Sequence, residues 1–166
     1  MPAERCDECG FDSEPWTDHD ALAAVAALPD RWRDAVRGLD AAQVNTRPIP
    51  TMWSIGEYSD HIRETIFGMR FLLDTATTTP GTVLGPPPEP AFQPEPRPFD
   101  VDVAISAFAA EITQLVDRLN QLAPDEWDMT VIIGDDTVDA HWIVRHAIHD
   151  VTHHLDDINR LRSKIE

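Results

Sequence analysis

Histidine and cysteine are the residues whose types and spacing in this chain could do chemistry. Five of the seven histidines lie between positions 141 and 154, in HWIVRHAIHDVTHH. On a helix, His149 and His153 are four apart and project from one face in successive turns. His146, three residues before His149, extends that row, whereas His154 points about 100 degrees away from His153. Two imidazoles so placed can hold one divalent ion, and zinc, nickel, cobalt and iron all accept them. His61 is the candidate third ligand, because facing helices of a bundle commonly carry the pieces of a metal site. Three neutral imidazoles would leave a position for water, a thiolate or substrate. The competing reading makes each histidine an ordinary, partly buried structural side chain. His141 and His19 read as surface or loop residues.

A second metal-like signal stands at the N-terminus. In ERCDECGFDSEPW, Cys6 and Cys9 form a CxxC followed by glycine, which resembles one knuckle of a zinc ribbon. No second CxxC exists to complete it. His19, an acidic residue, another histidine or a second subunit could supply the missing ligands. A free thiol pair, a thiolate source or a small lid stapled near the rest of the chain are the alternatives.

These residues need helices to position them. DHDALAAVAAL, residues 18–28, is alanine-rich and helix-forming, and Pro29 predicts a kink or restart before DRWRDAVRGL. A second helix begins at Ser54, which has capping-box spacing to Glu57. Trp53 and Tyr58 sit where a hydrophobic staple would put them. Ile55, Tyr58, Ile62, Ile66, Met69 and Leu73 then form one apolar stripe. Residues 78–99 are a proline-rich loop, stiff at Pro86 to Pro88. Ile105, Phe108, Ile112, Leu115, Leu119 and Leu122 mark a third helix, with Asp100 as its cap. MTVIIGDDTVD is a hairpin-like excursion or a loop. The last helix spans about 139 to 164. One apolar face on each of four long helices predicts an all-α four-helix bundle over 17–166, with 1–16 as an irregular CxxC extension. The short link 40–52 predicts that the first two helices are antiparallel neighbours. Trp142 lies on the face of His146 and His149, where it either packs the core or lines the mouth of a site.

Composition removes several function classes. Thirty acidic residues face thirteen basic ones, a formal charge of -17, and the chain has a single lysine. Nucleic-acid binding needs clustered basic residues, so direct DNA or RNA contact is disfavoured, as is an anionic membrane. No apolar run is long enough to span a bilayer, and MPAERCDECG lacks the apolar stretch of a signal peptide, which makes the cytosol the expected location. A homodimer through an apolar face is compatible with a bundle.

WSIGEYSDHIRET, followed about ninety residues later by HAIHDVTHHLDDI, resembles the DinB/YfiT-like superfamily over residues 17–165. The resemblance implies a four-helix bundle holding a divalent metal through one histidine on the second helix and an HxxxH pair on the last. Carried onto this chain, those are His61, His149 and His153. Trp53 stands eight residues before His61, as the family expects. After the last ligand the family often has a Gly-Gln-Ile-like stretch, where this chain has HLDDI. Aligning on that tail selects His154, with Asp150 four residues before it, so His154 and His146 stay as rivals. The resemblance further implies a transferase or isomerase using a low-molecular-weight thiol such as mycothiol, bacillithiol or glutathione with an electrophilic substrate. A metal-bound thiol loses its proton near neutral pH, which is the physical basis of such chemistry. Arg63, Arg70 and Arg145 are candidate carboxylate-binding groups for the thiol. Zinc is preferred on ligand chemistry, with nickel the alternative. A non-enzymatic bundle whose metal site is structural or vestigial is the other reading.

Overall fold

The capping signals read from the sequence are the ones that start the helices. The computed structural model describes residues 3–86 and 97–165, so Pro87 and Pro88 and the middle of the proline-rich loop lie outside the described residues. Helix α1, Asp18–Val36, begins at Thr17, whose hydroxyl accepts from the Asp20 amide. Pro29 lies within this single helix rather than ending it. Pro29 forfeits one backbone hydrogen bond, but Leu28, Pro29 and Trp32 are all buried, and their packing outweighs that loss. Helix α2, Ala41–Asn45, is one short turn inside the link to α3, Ile55–Thr78.

At the start of α3 the Ser54 hydroxyl accepts from the Glu57 amide (3.2 Å) and the Glu57 carboxylate accepts from the Ser54 amide (2.9 Å). Trp53 and Tyr58 pack edge-on with ring centroids 5.3 Å apart, completing the staple. Glu57 is also paired with Arg47, whose Nε lies 2.7 Å from Oε2. Burial raises the Glu57 pKa, but the Arg47 guanidinium and the Ser54 donors outweigh it and hold the carboxyl below its ordinary value. A depressed carboxyl pKa contributes stability that is present above the unfolded value, about 4.3, and lost as pH falls through the folded value. Melting temperature measured against pH should therefore drop more steeply below about pH 4.3 in the wild type than in Glu57→Gln. Parallel acid limbs for the two proteins would show that the carboxylate contributes nothing there.

Helix α4, Val101–Asn120, is capped by Asp100, and α5, Ala140–Ile165, closes the chain. Between them, β2, Val131–Ile133, and β3, Asp136–Val138, form an antiparallel hairpin, with Gly134 at φ 59° in its turn. Only glycine takes that value readily, and a two-residue hairpin turn requires it. Strand β1, Val83–Leu84, adds to β2 in parallel.

The helices are arranged as two parallel pairs. Arg70 meets Glu111 and Asp74 meets Arg118, so α3 and α4 run the same way. Asp18 meets Arg145, Arg31 meets Thr152, and Arg162 reaches the Ala35 carbonyl, so α1 and α5 also run together. Each of α1 and α3 packs chiefly on α4 and α5. The expectation that the first two long helices are neighbours is thus corrected: they are antiparallel but lie across the diagonal. Trp32 Nε1 donates to Ser59 Oγ across that diagonal at 3.0 Å. Parallel neighbours need a long crossover. A 24-residue helix such as α3 is about 36 Å long. Residues 79–100, fully extended at about 3.3 Å each, span roughly 70 Å. The proline-rich segment is therefore ample to return along the bundle.

Candidate metal centre

The N-terminal segment folds into a small ribbon against α5. Arg5 and Asp12 form an antiparallel bridge, and the Cys6 amide donates to the Phe11 carbonyl at 2.9 Å. The chain turns within Cys6–Gly10, where the Gly10 amide donates to the Cys6 carbonyl at 2.9 Å and Gly10 takes φ 72°. That positive φ is why a glycine follows the CxxC. Phe11 is buried, and its ring stacks on His149 with centroids 5.1 Å apart.

This ribbon delivers both cysteines to the HxxxH face of α5. The two sulfurs and one ring nitrogen each of His149 and His153 all lie within 4.8 Å of one another. In a tetrahedral zinc site with bonds of about 2.0–2.3 Å, ligand atoms are roughly 3.4–3.8 Å apart. Cys6 Sγ is already 3.7 Å from His153 Nδ1. The set therefore needs only a slight contraction to fit an ion. A further sign of fit is His149 Nε2, which is buried with no hydrogen-bond partner among the described residues. A buried polar atom without a partner is costly unless something binds it.

The electrostatics favour the ligating form at Cys6 and the protonated form at Cys9 and His149. The Cys9 amide, the His149 and His153 imidazoles and the Glu8 amide lower the Cys6 thiol to about 6, against an opposing effect of burial. Burial raises the Cys9 thiol, and the neighbouring Cys6 adds to that rise while the Phe11 amide opposes it. Burial tends to lower His149, but Cys6 and Glu4 beside its ring outweigh that and raise it. The thiolate is the form that binds metal, and the lowered pKa of Cys6 favours it.

His61 lies elsewhere. It sits on α3 with its ring 4.9 Å from Trp53 and 5.0 Å from His154. Burial, then the His154 ring, lowers its pKa and favours the neutral imidazole. His154 is held between two carboxylates, 3.1 Å from Asp157 and 3.7 Å from Asp150. Tyr58 packs 5.2 Å from His154, and its phenol is pushed up to about 12 by burial and then by Asp157. The structure thus brings His149 and His153 together with Cys6 and Cys9, and His61 together with His154. One residue of helix rotation, about 100 degrees, separates the two faces.

The other candidates have ordinary surroundings. His19 is exposed on α1 and is not part of either grouped ligand set among the described residues. His141 is in the first turn of α5, with Nδ1 2.9 Å from Asp18. Arg63 pairs with Asp60, Arg70 with Glu111, and Arg145 with Asp18. Trp142 stacks on His146 at 4.1 Å and packs against the core, as its core reading expects. Sequence reasoning missed Glu4, whose carboxylate is 2.7 Å from both His146 and His149. It stands two residues before Cys6, a spacing with no signature of its own.

The fold is a helical bundle that carries a group of residues able to hold a metal ion, and the family follows from comparison. A model described as the DinB superfamily matches residues 24–158, so the chain belongs to that superfamily. Among solved structures it is similar to YfiT from Bacillus subtilis, with a TM-score of 0.69, 12% identity, and coverage of 89% of this chain and 90% of that one. YfiT is described as "a probable metal-dependent hydrolase with an unusual four-helix bundle topology". No curated protein sequence matches the chain. Among the described residues, no helix is long and apolar enough to cross a membrane.

Proposed function

We propose that this protein is a divalent-metal-binding bundle whose ion is held by Cys6, Cys9, His149 and His153. The observation that carries the reading is the convergence of four ligand atoms within 4.8 Å. Two thiolates with two imidazoles favour zinc over nickel, since tetrahedral sulfur–nitrogen sets are characteristic of zinc. Four protein ligands leave no position for water or substrate, which is the mark of a structural site. The ion would fasten the ribbon carrying Cys6 and Cys9 onto α5.

A second reading rests on the separate cluster of His61, His154, Asp150 and Tyr58 between α3 and α5. The superfamily resemblance puts His61 at a metal position, and a metal- and thiol-dependent transferase would act there. A thiol's carboxylate would have to displace Arg63, Arg70 or Arg145 from its present acidic partner.

One set of variants separates the two readings. Untagged protein should carry one zinc per chain by elemental analysis. Cys6→Ser with Cys9→Ser should abolish that zinc, and His61→Ala should leave it. The reverse pattern, or turnover of a thiol–electrophile pair lost in His61→Ala but kept in the cysteine variant, would support the second reading.

A further inference from the structure

We propose that Glu4 is a positioning residue that decides which nitrogen of His149 faces the metal, and that it does so by tying His149 to His146. This rests on the four-ligand reading above. Glu4 Oε1 lies 2.7 Å from Nδ1 of His149 and 2.7 Å from Nδ1 of His146. An ionised carboxylate only accepts hydrogen bonds, so each Nδ1 must carry the proton. In a neutral imidazole the lone pair then falls on Nε2. In His149 that is the buried atom with no partner. A carboxylate behind a ligating imidazole fixes its tautomer and increases its basicity.

Glu4 is itself held in place. Its amide donates to Ser13 Oγ at 2.7 Å, and the Ser13 amide donates back to the Glu4 carbonyl at 2.9 Å. His146 is a rigid second donor, because its ring is stacked on Trp142 at an interplanar angle of 15°. His153 has the opposite arrangement. Its Nδ1 faces Cys6 at 3.7 Å, and its Nε2 lies 3.6 Å from Glu8. The two histidines of one HxxxH pair therefore ligate through different nitrogens, His149 by Nε2 and His153 by Nδ1. The ribbon supplies two cysteine ligands and also the carboxylate behind one histidine ligand.

Long-range proton–nitrogen spectra of the full-length, zinc-loaded protein test this without any substitution. His149 should be protonated at Nδ1 and His153 at Nε2. Zinc affinity, measured by competition with a chelator, should fall 10- to 100-fold in Glu4→Gln. Asp12→Asn, which removes the ribbon's ion pair with Arg5 but leaves Glu4 and its anchor intact, should leave the His149 tautomer unchanged. Coordination of His149 through Nδ1, or an unchanged affinity in Glu4→Gln, would overturn the role of Glu4 while leaving the four-ligand site intact. Zinc lost in His146→Ala but kept when both cysteines are serine would put the ion on Glu4, His146 and His149 and overturn both readings.

Discussion

Chelating the metal should free the N-terminal ribbon while the four helices stay folded. Cleavage within residues 3–16 by a nonspecific protease should accelerate by about two orders of magnitude, with helical circular dichroism retained. A clamp worth about 3 kcal/mol corresponds to a roughly 150-fold change in the open population, at 1.4 kcal/mol per factor of ten. Apart from the ion, the ribbon is held by the packing of Phe11 and Trp16 against the core and by a few polar and ring contacts. Phe11 stacks on His149, Glu4 binds two histidines, and Arg145 donates to the Trp16 carbonyl at 2.5 Å. The ribbon adds Phe11 to the edge of the bundle core, but Ile62, Leu73, Phe108 and Ile143 at its centre are wholly buried and come from the helices. An unchanged cleavage rate would remove the clamp. Loss of helicity together with cleavage would make the ion a support of the whole fold.

Trp32→Ala should destabilise the protein by about 3–5 kcal/mol in urea denaturation, the range for deleting a large aromatic from a core. Trp32 is wholly buried and fills the space between α1 and α3, which pack chiefly on α4 and α5 rather than on each other. Its ring meets Phe108 of α4 at 6.1 Å, and its Nε1 reaches Ser59 of α3 at 3.0 Å. Alanine would empty that junction. Phe would refill most of it and cost less, since Ser59 still donates to the Ile55 carbonyl at 2.8 Å. A loss under about 1 kcal/mol for Trp32→Ala would mean that the diagonal collapses freely, contrary to close packing.

What could be read from the sequence follows the range of the interactions. The Ser54–Glu57 box, the Trp53–Tyr58 staple and the α3 and α4 stripes are set within a turn or two of helix, so spacing alone reveals them. The helix does not restart at Pro29, because burial against the core is a tertiary effect that local preference omits. The diagonal placement of α1 and α3 depends on which faces meet, and a short link between them does not encode it. For the same reason His149 and His153 were visible as a pair, while their meeting with Cys6 and Cys9 was not. Those partners are more than a hundred residues away, and a ribbon with its own hydrogen bonds carries them there. The choice between His153 and His154 beside His61 turns on a single residue of helix rotation.

A crystal structure of untagged protein, with anomalous data collected on both sides of the zinc edge, tests the central claim most directly. The account predicts one anomalous peak bonded to Cys6, Cys9, His149 and His153, with no water in its shell. A peak bonded to His61, whether with His149 and His153 or with His154 and Asp150, and free cysteines beside α5 would contradict it.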